Sequence, residues 1–180
     1  MGESVTKNIF ITGHTSGLGL GMKKCFLKNG YNVYGLSRSC IDDKFNLKLN
    51  LSELDELREK IDSFMIHKEF DLCILNAGIL GGIKKVVDLN ASDMIESFSI
   101  NVISTKLIID SAIRNKSCNN FIVISSGAAN RGYDGWLNYC VSKSSLKQMV
   151  YCYTIENPEL RFISLAPGVV KTKMQDTDII

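Results

Sequence analysis

Short apolar runs alternate along this chain with longer stretches whose apolar residues return every three or four positions. The short runs predict strands and the longer ones amphipathic helices, and strict alternation of the two predicts a parallel sheet covered on both faces. Lys7–Thr12 is the first predicted strand, followed by a glycine-rich turn and a helix over Leu18–Asn29 that Gly30 stops. Asn32–Ser37 and Phe45–Leu49 are the second and third strands. Ser52 is the expected cap of the next helix. Asp71–Asn76 is the fourth strand. Ser92–Arg114, with apolar residues at 94, 95, 98, 102, 103, 107, 109 and 113, predicts one long helix. Phe121–Ser125 is the fifth strand, and a loop over Gly127–Trp136 leads to a helix from Asn138 to Glu156. Asn157-Pro158 ends that helix, and Arg161–Ala166 is the sixth strand. Neither a repeat nor a linker interrupts the pattern, so residues 1–180 are expected to form a single domain.

Composition narrows the class. The 180 residues are 45% hydrophobic and 22% charged, a balance that favours a buried core over disorder. A net charge of +2 without a dense Lys/Arg cluster gives no reason to expect a nucleic-acid partner. No apolar run approaches the ~20 residues that span a bilayer, so no membrane partner is expected. Six cysteines lack any Cys-x-x-Cys pair and several lie inside apolar runs, which fits reduced thiols in the cytoplasm. Two scattered histidines offer no metal site.

The chemistry concentrates at Tyr139 and Lys143. Four residues apart on a helix, they lie on one face, where an ammonium is expected to lower the phenol's pKa. Ser126 lies thirteen residues upstream, at the end of a strand. The other signal is Gly13-His14-Thr15-Ser16-Gly17-Leu18-Gly19, between a strand and a helix. Its glycines let backbone approach a pyrophosphate, and the helix N-terminus offers free N–H groups.

Taken together, Tyr139, Lys143, Ser126 and the glycine turn resemble the short-chain dehydrogenase/reductase family from residue 7 to about residue 174. Asn76-Ala77-Gly78, Asn101 and the segment Pro167-Gly168 to Thr172 match further family marks. The resemblance implies a Rossmann-type, doubly wound α/β fold of about six mostly parallel strands in the order 3-2-1-4-5-6. It also implies hydride transfer between a nicotinamide and a carbonyl or alcohol. Tyr139 would be the acid/base, and Lys143 would assist it and hold the nicotinamide ribose. Ser126 would bond the substrate oxygen, and Asn101 would hold a relay water. The turn residues Gly13, Thr15, Ser16, Gly17, Leu18 and Gly19 would cradle the coenzyme. Asn50, Asn76, Ala77 and Gly78 would border its adenosine, and Pro167, Gly168, Val170 and Thr172 its nicotinamide. Ser37 stands where relatives that prefer NAD keep an acid, and Arg38 beside it suits a 2′-phosphate; NADP(H) is therefore favoured over NAD(H).

Two departures from the family pattern set further expectations. The segment after the second strand is compressed. The sequence also stops at Ile180, where members usually continue into a substrate-covering helical segment and a last strand, so a C-terminally short member with an exposed sixth-strand edge is expected. The resemblance implies a homo-oligomer, dimer or tetramer, with the helices of residues 92–114 and 138–156 across a two-fold. Two other readings stay open: a catalytically weak NADP(H)-binding sensor or partner protein, and a sugar-nucleotide epimerase or dehydratase, which shares the Tyr-Lys pair.

Overall fold

The computed structural model describes residues 6–170. In chain order the elements are β1 Asn8–Thr12, α1 Gly17–Lys28, β2 Asn32–Ser37, β3 Asn46–Lys48, α2 Leu54–Met65 and β4 Leu72–Leu75. There follow α3 Ala91–Phe98, α4 Ser104–Arg114, β5 Asn120–Ile124, α5 Leu137–Glu156 and β6 Arg161–Leu165. All six strands pair in parallel in one sheet of order β3-β2-β1-β4-β5-β6. That is the expected doubly wound order.

Side chains of a strand point alternately to the two faces, and here the alternation sorts the core into two layers. Phe10, Cys73, Leu75, Phe121 and Val123 pack with Leu57 and Ile61 of α2, Ile108 and Ile109 of α4 and Leu146 of α5. Ile9, Ile11, Val33, Ile74 and Ile124 meet Leu18, Met22 and Phe26 of α1 on the other face. Central strands buried on both sides therefore read as unbroken apolar runs.

Local details differ from expectation. α2 begins after Glu53 with no side-chain cap, so Ser52 is not the cap; its N–H is instead held by the Asn50 Oδ1 at 3.3 Å. The predicted helix 92–114 is two helices, α3 and α4, joined by a π-helical turn over Ser99–Ile103. That wider turn carries Asn101 into the interior, where its side-chain hydrogen bonds offset the irregular backbone. Among the described residues β6 has no outer neighbour. Its Ile163 and Leu165 are about half exposed.

Candidate active site

The carboxyl ends of the strands open together into a cleft of about 700 Å³. Open parallel sheets place ligand crevices at this edge, because there the helix N-termini and strand ends converge. Three ties hold its floor. Gly13 donates its N–H to the Leu36 carbonyl at 2.8 Å, joining the turn to β2. The Thr12 hydroxyl accepts the Asn76 and Ala77 N–H groups at 2.9 and 3.0 Å, and Asn76 Nδ2 donates back to the Thr12 carbonyl at 3.0 Å. Thr15 and Ser37 share a hydroxyl–hydroxyl bond of 2.7 Å.

Glycine is required twice in the turn. Gly17 opens α1 with φ +49, and a Cβ on Gly19 would stand 2.2 Å from the Gly13 carbonyl oxygen. Gly19 is thus a packing residue beneath the cleft and not part of its lining. Of the expected coenzyme contacts, Gly13, Thr15, Ser16, Gly17, Leu18, Ser37, Arg38 and Asn50 line one half. Asn76, Ala77, Gly78, Tyr139, Lys143, Pro167, Gly168 and Val170 line the rest. Thr172 lies outside the described residues. Arg38 is exposed at the rim and pairs with no carboxylate among the described residues.

The far wall is made by β5 and α5. Helix α5 buries Asn138, Ser142, Lys143, Leu146 and Val150 along one stripe, polar toward the cleft and apolar toward the core. The stripe carries Lys143 inward until its ammonium donates to the Ile124 carbonyl at 2.8 Å. Tyr139, one turn earlier, faces the same cleft, with its ring centroid 5.5 Å from Lys143 Nζ. Ser126 lines the cleft beside them and caps the short turn after β5, its Oγ accepting the Ala128 N–H at 3.2 Å. Trp136 packs edge-on against Tyr139 at 5.8 Å and forms the outer wall.

Charge behaves differently from the sequence expectation. Burial pushes the Tyr139 phenol above its ordinary value, while the neighbouring Ser126 hydroxyl acts the other way. The Lys143 ammonium is not bonded to the phenol: it donates to the Ile124 carbonyl, 5.5 Å from the centre of the ring. Burial also brings Lys143 itself down to about 8.

Asn101 does not line the cleft. Its Nδ2 donates to the Ile79 carbonyl at 2.8 Å and to Ser142 Oγ at 2.9 Å, and its Oδ1 accepts the Ile79 N–H at 2.8 Å. The side chain therefore clamps the loop after β4 to helix α5. Ser142, which the sequence reading passed over, completes that clamp by donating to the Tyr139 carbonyl at 2.9 Å. The available signal was a small polar residue inside Tyr139-x-x-x-Lys143, on the buried stripe.

A cleft with a glycine turn at one end and a serine, a tyrosine and a buried lysine at the other fits an extended dinucleotide and a small substrate. Comparison with known proteins agrees. Residues 7–179 match the family described as short chain dehydrogenase. An uncharacterized oxidoreductase of Schizosaccharomyces pombe is 30% identical, over 97% of this chain and 75% of its own length. A benzil reductase ((S)-benzoin forming) of Bacillus subtilis is 26% identical, over 92% and 75%. The crystal structure of a short-chain dehydrogenase/reductase from Saccharomyces cerevisiae superposes with a TM-score of 0.84 at 26% identity, covering 95% of this chain and 74% of that one. The chain belongs to the short-chain dehydrogenase family, NAD(P)-dependent oxidoreductases that interconvert alcohols and carbonyls.

Proposed function

We propose that this protein is an NADP(H)-dependent carbonyl reductase or alcohol dehydrogenase with Tyr139 as its acid/base. The observation that carries the reading is the convergence of Ser126, Tyr139 and Lys143 on one end of a cleft whose other end is the glycine turn and Arg38. The turn from Gly13 to Leu18 and the loop Asn76-Ala77-Gly78 hold the coenzyme, and Arg38 meets its 2′-phosphate. When bound, a nicotinamide supplies the hydride in reduction and takes it up in oxidation.

This chain's own residues handle the proton and the developing charge. Ser126 Oγ holds the substrate oxygen, where negative charge grows. Tyr139 gives that oxygen its proton in reduction and takes one back in oxidation. A phenol kept above its ordinary pKa retains its proton at neutral pH, the form that reduction needs. Lys143 holds the nicotinamide ribose and returns positive charge to the site as Tyr139 becomes anionic. Asn101 and Ser142 fix the helix turn that aims Tyr139. Trp136 gives the substrate an apolar wall, and the Bacillus relative named for benzil reduction supports a carbonyl of that kind. The reading includes a homodimer through α3, α4 and α5, the last with Tyr151 and Ile155 exposed, and a cytosolic location, supported by six free cysteines.

The test is NADPH oxidation with a panel of aldehydes, ketones and diketones, for the native chain and for Tyr139→Phe. Turnover that disappears with that single oxygen, while NADPH binding persists, is the expected result. Binding without turnover on any carbonyl by the native chain would overturn the enzyme reading.

A further inference from the structure

His14 lies inside the coenzyme turn but takes no part in the chemistry above. It is 1% exposed, and neither ring nitrogen has a hydrogen-bond partner among the described residues. A buried, unpartnered polar group is costly and calls for an explanation. The ring occupies the space over Gly35 of β2: a Cβ there would stand 2.2 Å from His14 Nδ1 and 2.4 Å from Cε1. On either side of His14, the turn is pinned to the two residues after Gly35. Gly13 donates to the Leu36 carbonyl, and Thr15 bonds Ser37. All four of those pinned residues line the cleft. The imidazole is therefore a wedge seated between turn and strand at the point where both face the coenzyme.

The surroundings of the wedge disfavour its charged form. Burial, and then the Lys23 ammonium of α1, disfavour its charged form. The Leu36 carbonyl of β2, the Asn46 amide of β3 and the Asp43 carboxylate before β3 favour it, but neither the carbonyl nor the amide completes a hydrogen bond. A buried base of this kind is stable where it is uncharged in both folded and open states. It loses stability as pH falls below the ordinary histidine value near ~6.5, because the opened turn takes up a proton that the closed one refuses.

We propose that His14 is a positioning residue for the coenzyme, and an acid-sensitive one. Neutral, it fills the hole over Gly35 and holds Gly13 and Thr15 against β2; protonated, it leaves that hole and the turn releases the dinucleotide. The proposal rests on the reading of the cleft as the NADP(H) site.

The experiment is isothermal titration of NADP+ into the native chain and into His14→Leu, from pH 8 to pH 5.5. Any titration of the 2′-phosphate itself is common to both and cancels in their ratio. The native chain is expected to lose up to about tenfold more affinity than the variant between pH 7.5 and 5.5, the linkage limit for one group with an ordinary value near ~6.5. Gly35→Ala, whose methyl displaces the ring, is expected to weaken binding at pH 7.5, and adding His14→Ala to it to recover most of the loss. Thermal melts without coenzyme give an independent reading: the native chain should lose more stability than His14→Leu on moving from pH 8 to 5.5. Parallel profiles for native and variant overturn the inference while leaving the coenzyme site intact. No binding at any pH overturns both.

Discussion

Lys143 shows how much of this site depends on where one charge is put. Its amine is buried against the end of β5, and its pKa falls from 10.5 to about 8. Above about 10.5 the group is neutral in folded and unfolded chains alike, so burial costs nothing there. As pH falls toward 8 the unfolded chain takes up the proton first, and below 8 the whole penalty stands. Lys143→Met is therefore expected to stabilise the protein by about 2 kcal/mol at pH 7, after allowing for the Ile124 carbonyl left without a donor, and to abolish turnover. Denaturant melts at pH 7 and pH 10 check both size and sign, since the gain should shrink at the higher pH. Arg38, exposed and without an acidic partner among the described residues, sits at the opposite extreme. Arg38→Ala should weaken NADP+ binding about 10–100-fold and leave NAD+ binding unchanged, the range of a charge-assisted pair to phosphate. Equal losses for both coenzymes in a titration would remove the arginine from the 2′-phosphate.

Among the elements, the strand-turn-helix from β1 to α1 and the π-helical turn before α4 each exchange regular geometry for contacts at the cleft. Gly19 allows the helix to pass the Gly13 carbonyl, and a methyl there would stand 2.2 Å from that oxygen. Gly19→Ala is expected to cost about 1–3 kcal/mol of stability and at least tenfold in coenzyme affinity, although it touches no ligand. Calorimetric melts and coenzyme titration measure the two losses separately. Asn101 works through the wider turn: with its amide bonded to Ile79 and Ser142, it links the β4 loop to the helix bearing Tyr139. Asn101→Ala should lower kcat much more than it raises the NADP+ dissociation constant, and a change confined to binding would contradict that role.

At the scale of the whole molecule, the sheet of the described residues has β6 at its edge with Ile163 and Leu165 partly exposed, and α5 presents Tyr151 and Ile155 to the outside. Sedimentation equilibrium should give twice the chain mass of 20.0 kDa, and Ile155→Lys should shift it toward the monomer. A native monomer at micromolar concentration would remove the dimer from the proposal. The same surfaces mark the boundary of legibility. Strand and helix order, the sheet order implied by the resemblance, and the pairing of Tyr139 with Lys143 on one helix face could all be read from residues. The elements and the Tyr139–Lys143 pairing depend on periodicity and on spacing within one element, which neighbours in sequence impose. Ser142, Thr12 and the wedge of His14 over Gly35 could not be read, because each acts on a partner 41 or 64 residues away or on an absent side chain.

By itself, then, the order of residues decided the alternation of strands and helices and the placing of Tyr139 and Lys143 on one helix face, because hydrophobic period and helical pitch act locally. The strand order and the gathering of the site residues were what the family resemblance implied. Tertiary packing alone decided the electrostatic surroundings of the titratable groups. It turned Lys143 onto the Ile124 carbonyl instead of the phenol, raised Tyr139 by burial, and left His14 disfavoured as a cation and without a hydrogen-bond partner among the described residues. A pKa depends on solvent, dipoles and charges gathered from distant segments, and no spacing along the chain encodes that sum.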